Sequence, residues 1–218
     1  MSAPLNEIVS FANSHLSIGK IKDYCPNGLQ VEGRAKVKTL LGGVTASQAL
    51  IDEAIKQGAD AILVHHGYFW KGEKEAITGI KKNRIKALLE NDISLIAYHL
   101  PLDVHADVGN NVQLAKSLEL ELIGPLDPES NCSIGLVGQL KKPMTALASN
   151  DFISQRLGRE SFHVGDENKE ISTLGFCTGA AQGMIDQAVA LGLDAYLSGE
   201  ISEPTVHISR ETGVNFFS

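Results

Sequence analysis

Histidines and an aspartate follow two successive apolar segments of the chain. His65 and His66 come directly after the first segment, and His99 and Asp103 come after the next. Imidazole and carboxylate groups without a thiolate favour Zn²⁺, Fe²⁺ or Mn²⁺ over a structural zinc knot. The spacing therefore predicts a divalent metal site. The alternative, that these are hydrogen-bonded structural histidines, stays open for each residue taken alone.

The predicted elements place these side chains at one edge of a sheet. Apolar runs at Thr39–Val44 and Ala61–Val64 flank a predicted helix, which makes a βαβ unit with parallel strands. A further helix at 80–90 and a strand at 93–98 extend the pattern. Since the chemistry of such sheets collects beyond the carboxyl ends of parallel strands, we expect the histidines and the aspartate to converge there.

An internal repeat relates two parts of the chain. With one residue inserted in the second copy, Leu41–His66 and Leu174–Glu200 share ten identical residues. Both copies predict a strand, a helix and a strand. The repeat places Gly199 and Glu200 where His65 and His66 stand, so Glu200 becomes a candidate to approach the site from the second half.

These patterns predict an α/β fold of two related halves, with parallel or mixed sheets and helices. We expect a first α/β half at 1–119 with the His-His site, a smaller inserted α+β lobe at 120–171, and a second α/β half at 172–218. In the second half, Val214 onward matches Ile93 onward. The counterpart of the segment from His99 to Asp103 would thus lie beyond Ser218, and we expect the chain to continue past that residue.

Composition excludes several classes of protein. The 218 residues carry 19 basic and 26 acidic side chains, a net charge of −7, which disfavours general binding to nucleic acid. The longest uncharged stretch, Ile171 to Ile185, is too short and too polar to span a membrane. Three separated cysteines and an N-terminus unlike a secretory signal predict a reducing, cytoplasmic location.

Three further segments have alternative interpretations. The aromatic segment Gly67–Gly72 holds the only tryptophan; it could be a wall or lid on which a heterocyclic base stacks, or a hydrophobic plug. Asn27-Gly28 could approach the site or simply form a turn. A basic cluster is interpreted as the solvated face of a helix and consists of Lys81, Lys82, Arg84 and Lys86.

Five motifs in the same order resemble the Nif-three-like family, whose members carry the name GTP cyclohydrolase I type-two homologues. The motifs are Asn27-Gly28-Leu29-Gln30-Val31, His65-His66-Gly67, His99-Leu100-Pro101-Leu102-Asp103, Gly109-Asn110-Asn111 and Ser198-Gly199-Glu200. The resemblance implies a two-metal site with His65, His66 and Asp103 as ligands. It also implies a homo-oligomer, typically a hexameric ring.

Two functions follow as hypotheses. The first is a hydrolase that uses two divalent metal ions (Zn, Fe or Mn) on a small substrate such as a nucleotide. Here His99 or Glu200 would orient water or move a proton, and the metals would activate the water. The second is a ring-forming metal-binding or scaffold protein without turnover. A nucleic-acid clamp is the least favoured function because of the acidic net charge.

Overall fold

The computed structural model describes residues 2–130 and 132–218. It divides into two compact units, Met1–Leu102 and Asp103–Ser218. Each unit has helices packed on a sheet that contains parallel and antiparallel strands. The prediction of an α/β fold with two related halves is confirmed.

The first unit is built on a four-stranded sheet in the order β2-β6-β5-β4, in which β4, β5 and β6 are parallel and β2 is antiparallel. A short antiparallel ladder joins β1 and β3. The elements are β1 (Ala3–Pro4), α1 (Leu5–His15), β2 (Gly28–Val31), β3 (Lys36–Val37), β4 (Leu40–Gly42), α2 (Gln48–Lys56), β5 (Ala61–Val64), α3 (Gly79–Glu90) and β6 (Ser94–Ala97).

The two central strands of this sheet are buried almost completely. Every residue of β6 is buried, and only Leu63 in β5 is partly accessible. Apolar clusters contributed by α1, α2 and α3 cover them, which is why both strands read as continuous apolar runs. The strand pair is therefore a rigid base for the residues that follow each strand.

The second unit is built on a six-stranded sheet in the order β7-β8-β10-β11-β12-β9, with β10, β11 and β12 parallel. A short helix, α4 (Leu100–Asp103), leads into it. Residues 120–171 contribute strands to the same sheet as β11 and β12. The elements are α5 (Asn110–Ser117), β7 (Glu121–Pro125), β8 (Leu136–Thr145), α6 (Ala146–Leu157), β9 (His163–Val164), β10 (Glu170–Cys177), α7 (Ile185–Ala190), β11 (Ala195–Ser198), α8 (Glu203–Thr212) and β12 (Asn215–Phe217).

An aspartate ties the start of β5 to the chain that enters β4. Asp60 is buried, and its Oδ2 accepts hydrogen bonds from the backbone N–H groups of Lys38 (2.7 Å) and Thr39 (2.9 Å). Its Oδ1 lies 2.9 Å from Nη1 of Arg34. The backbone hydrogen bonds, from Thr39 and then Lys38, together with Arg34, lower the pKa of Asp60 below its ordinary value.

The same arrangement recurs in the second unit. Oδ2 of Asp194 accepts hydrogen bonds from the backbone N–H groups of Ser172 (3.0 Å) and Thr173 (2.9 Å). Partial burial would raise the pKa of Asp194, but the hydrogen bonds from Thr173 and Ser172 prevail and lower it. We call Asp60 and Asp194, with the two amides that each accepts, the aspartate clamps.

The clamps correct the predicted alignment of the repeat. Asp60 lies 21 residues after Thr39, and Asp194 lies 21 residues after Thr173. The strand ladders agree, since Leu40 pairs with the residue after Asp60 and Leu174 pairs with the residue after Asp194. The predicted one-residue insertion is therefore wrong. Without a gap, residues 39–66 and 173–200 share eleven identical positions.

Stability in acid is expected to depend on the aspartate clamps. Both carboxylates have lowered pKa values, so their contribution is complete above about pH 4 and is lost as the pH falls through their folded-state pKa values. The urea midpoint, followed by circular dichroism, should drop from neutral pH to about pH 3. A double variant, Asp60→Asn with Asp194→Asn, should show a flatter profile. An equal drop in both proteins would contradict this role.

None of the helices that the structure describes is long and apolar enough to cross a membrane.

Candidate metal centre

Three imidazole side chains meet at the edge of the first sheet. His65 and His66 follow β5, and His99 follows the parallel neighbour β6 after one further residue. One potential ligand atom from each residue can be chosen so that the three atoms lie within 4.8 Å of one another. The ring centroids are 4.5 Å apart for His65 and His66 and 5.0 Å apart for His65 and His99. The arrangement is suited to binding a metal cation through nitrogen ligands.

The backbone fixes the proton position on His65. Nδ1 of His65 lies 2.9 Å from the carbonyl oxygen of Tyr98. A carbonyl oxygen can only accept, so Nδ1 must carry the hydrogen and the lone pair is on Nε2. A histidine that donates from Nδ1 to a carbonyl is in the tautomer that binds a metal through Nε2.

A carboxylate does the same for His99. Nδ1 of His99 lies 2.8 Å from Oδ1 of Asp23, whose side chain is only 3% exposed. Oδ2 of Asp23 accepts from the backbone N–H of Leu100 (2.9 Å) and from Nδ2 of Asn27 (2.8 Å). Burial would raise the pKa of Asp23, but these hydrogen bonds outweigh it and lower the pKa. The carboxylate is thus ionised and accepts a hydrogen bond from the Nδ1–H group of His99.

The segment Asn27-Gly28 leads directly into a strand. Gly28 is the first residue of β2 and has a φ of +105°, a conformation that favours glycine. Asn27 also approaches the site, because its Oδ1 accepts the backbone N–H of His99 at 2.7 Å. With Asp23, it holds the chain at the point where β6 ends.

His66 is positioned mainly through its backbone. Its N–H donates to the carbonyl of Val44 (2.8 Å), and its carbonyl accepts the N–H of Ala46 (2.9 Å). Nδ1 of its ring lies 3.4 Å from Oγ1 of Thr45. These contacts come from the loop between β4 and α2, so the βαβ unit itself determines where this ring lies.

The aromatic segment 67–72 contains one buried residue and one residue that packs against the imidazoles. Tyr68 is buried, and its hydroxyl donates to the carbonyl of Ala46 at 2.7 Å, so this residue is a plug. Burial raises the pKa of Tyr68 to about 12. Trp70 instead packs against the imidazoles: its ring stands edge-on to His99 with centroids 4.9 Å apart, and its centroid lies 5.9 Å from that of His66. A role as a wall for a heterocyclic base stays a prediction.

A second group of potential ligands shares His99 and includes Asp23 and Cys25. Burial, with the negative charge of Asp23, raises the pKa of the Cys25 thiol to about 11. A metal needs the thiolate, and Asp23 is already engaged by four hydrogen-bond donors. The group of three imidazoles is therefore the better metal site of the two.

Asp103 and Glu200 belong to the second unit. Asp103 ends α4 and is buried, and its Oδ1 accepts a hydrogen bond from Nδ2 of Asn110 at 2.6 Å. A Cβ atom at Gly109 would come within 2.6 Å of the carbonyl oxygen of Asp103, which explains a glycine before the two asparagines. Glu200 follows β11 and is exposed. Both remain predicted site residues.

Similar proteins agree with the resemblance found in the sequence. The model of the family described as Duf34/NIF3 (NGG1p interacting factor 3) matches residues 3–218. A protein of Pseudomonas aeruginosa named GTP cyclohydrolase 1 type 2 homolog is 53% identical over 218 residues, which are 100% of this chain and 86% of that protein. A protein of the same name from Escherichia coli is 47% identical and is covered over 84% of its length, against 97% of this chain.

Solved structures share the fold. A structure described as "protein ybgI, unknown function" superposes with a TM-score of 0.92 at 45% identity, covering 99% of this chain and 85% of that one. TTHA1606 from Thermus thermophilus superposes with a TM-score of 0.83 at 30% identity, with the same coverage. The family model covers nearly the whole sequence, and close relatives extend over its full length. The chain therefore belongs to the Duf34/NIF3 family.

Proposed function

We propose that this protein binds divalent metal through His65, His66 and His99 and hydrolyses a small, nucleotide-like substrate. The observation that carries the proposal is the state of the imidazoles. His65 and His99 direct their Nδ1 protons to a carbonyl and a carboxylate, so the lone pair of each ring is on Nε2, the nitrogen through which such a histidine binds a metal. The name of the relatives, GTP cyclohydrolase 1 type 2 homolog, supports a nucleotide-like substrate.

The proposed centre contains two divalent ions, Zn, Fe or Mn. Such ions lower the pKa of bound water and polarise the bond that is attacked. The family resemblance adds Asp103 as a carboxylate ligand, and the internal repeat makes Glu200 the candidate to orient water or move a proton. His99 was predicted to share that role, but its grouping with His65 and His66 supports a role as a ligand. Asp23 orients His99, and Trp70 packs against the rings of His66 and His99.

Elemental analysis of variants tests the metal ligands. We expect His65→Ala, His66→Ala, His99→Ala and Asp103→Ala each to lose most of the bound metal, with little change in the circular dichroism spectrum. His207→Ala is the matched control, because His207 lies on α8 and is 60% exposed. Unchanged metal content in all four variants would contradict the site assignment.

Turnover is tested separately on the metal-loaded protein. We expect hydrolysis of at least one member of a panel of nucleotides and phosphoesters that includes GTP, and no hydrolysis by His65→Ala. Metal binding without turnover on the whole panel would favour the second function, a ring-forming metal-binding or scaffold protein.

Light scattering tests the proposed hexamer, for which the mass should be six times that of the 23.4-kDa chain. A cytoplasmic location stays a prediction.

A further inference from the structure

We infer that Glu73 and Lys81 are positioning residues of the metal centre, because together they hold Trp70 against His66 and His99. Neither residue is a candidate ligand. The inference rests on the proposed function for its consequence in metal binding, but the contact between Trp70 and the imidazoles can be tested without any metal.

Glu73 holds the turn that carries Trp70. Phe69 has a φ of +66°, a left-handed conformation that a bulky side chain seldom adopts without support. Oε2 of Glu73 accepts the backbone N–H groups of Phe69 (3.0 Å) and Trp70 (3.2 Å). One carboxylate oxygen therefore satisfies the two amides on either side of the strained position.

Lys81 holds Glu73 in turn. Its Nζ lies 3.3 Å from the same Oε2 of Glu73, donates to the carbonyl of Lys74 at 3.2 Å, and stands 4.9 Å from the centre of the Phe69 ring. The side chain of Lys81 is only 11% exposed, which corrects the interpretation of the basic cluster as a solvated face. That interpretation holds for Lys82, which is exposed on the same helix, α3.

The base of the turn is fixed from the opposite side. Oε1 of Gln30 accepts the backbone N–H of Tyr68 at 2.7 Å, and a Cβ atom at Gly67 would approach that oxygen to 2.2 Å. The indole Nε1–H of Trp70 donates back to the carbonyl of Gly67 at 3.1 Å. The N–H of Lys71 donates to the carbonyl of Tyr24 at 2.6 Å, so the turn is anchored at both of its ends. The Glu73–Lys81 pair supports the strained position between these anchors, and that position sets the direction of Trp70.

Removing the pair should release the indole from the imidazoles. Without the ammonium group, the Glu73 carboxylate is drawn to water and away from the two amides, so the strained turn relaxes. Trp70 then becomes more exposed, and the rings of His66 and His99 lose a packing partner. A ligand ring that is less well oriented binds its metal more weakly.

Fluorescence of the metal-free protein tests the first step, because Trp70 is the only tryptophan. We expect Lys81→Met and Glu73→Ala to shift the emission to longer wavelength and to raise acrylamide quenching by about twofold, as for a side chain released from a packed site. Lys82→Met is the matched control and should behave as the wild type. Lys81→Arg, which keeps the charge, should restore much of the wild-type spectrum. Identical quenching of wild type and both pair variants would overturn the inference.

Titration with Co²⁺ tests the second step. We expect Lys81→Met to bind Co²⁺ about tenfold more weakly than wild type, at the lower end of the effect of losing a group that orients a ligand. Tighter or unchanged binding in a variant with a released indole would overturn the positioning role. If the wild type binds no Co²⁺, the proposed function fails, while the quenching comparison still decides the contact between Trp70 and the imidazoles.

Discussion

Replacing Asp23 with alanine should weaken metal binding about 10–100-fold, the range observed when the hydrogen-bond partner of a metal-ligating histidine is removed. Asp23 is the acceptor that holds the Nδ1 proton of His99, at 2.8 Å. Without it, the ring can rotate and the direction of the lone pair on Nε2 is no longer fixed. Isothermal titration with Zn²⁺ or Mn²⁺ measures the effect.

Two further variants separate orientation from charge. Asp23→Asn keeps an acceptor oxygen but removes the negative charge, so it should fall between wild type and Asp23→Ala. Asn27→Ala removes the bond to the backbone N–H of His99 and one of the donors to Asp23, but the bond between Asp23 and the imidazole remains, so its effect should be smaller than that of Asp23→Ala. Metal affinities equal to wild type in both Asp23 variants would show that the carboxylate does not orient a ligand.

The aspartate clamps should contribute strongly to stability. Asp60→Ala leaves two backbone N–H groups beside a buried position without their acceptor, which should cost about 2–4 kcal/mol in the free energy of unfolding. Asp194→Ala removes the acceptor of two backbone N–H groups and of the Thr173 hydroxyl, so it should cost a similar amount, about 2–4 kcal/mol. Urea denaturation followed by circular dichroism gives both values.

The repeat supplies its own control for the clamps. Asp52 and Asp186 are also identical between the two copies, but both are exposed on their helices. Asp52→Ala and Asp186→Ala should therefore change the free energy of unfolding by less than about 0.5 kcal/mol. Equal decreases in the free energy of unfolding at clamp and control positions would mean that the clamp hydrogen bonds do not contribute to stability beyond an exposed carboxylate.

The convergence of the three histidines could be predicted because the sequence pattern indicates which strands are neighbours in the sheet. The residues after β5 and β6 must meet once the two strands are parallel neighbours, and apolar runs joined by a predicted helix favour that pairing. The same reasoning placed Glu200 after β11 but could not say how far its side chain lies from any histidine. Sequence patterns predict the edge of a sheet better than the direction of a side chain.

The residues that support the site, Asp23 and Lys81, carry no comparable signal in the sequence. Asp23 lies 76 positions before His99 and outside any helix or strand, so no periodicity links the two. Lys81 looked like its exposed neighbours because composition does not show which member of a basic cluster points inward. The repeat itself is visible in the sequence, but an alignment that matches Leu41-Gly42 with Leu174-Gly175 contains a gap that the strand pairing does not contain.

Because His65 and His99 each have an oxygen partner, the conformational entropy of their rings is lost before any metal binds. Each ring is already held by a neighbouring oxygen, so its rotational freedom is lost when the chain folds and not when a cation arrives. A binding ion must lose hydration water, but it does not have to order these two side chains. Calorimetry on the intact protein should accordingly show a smaller entropic penalty for binding than the same titration on Asp23→Ala.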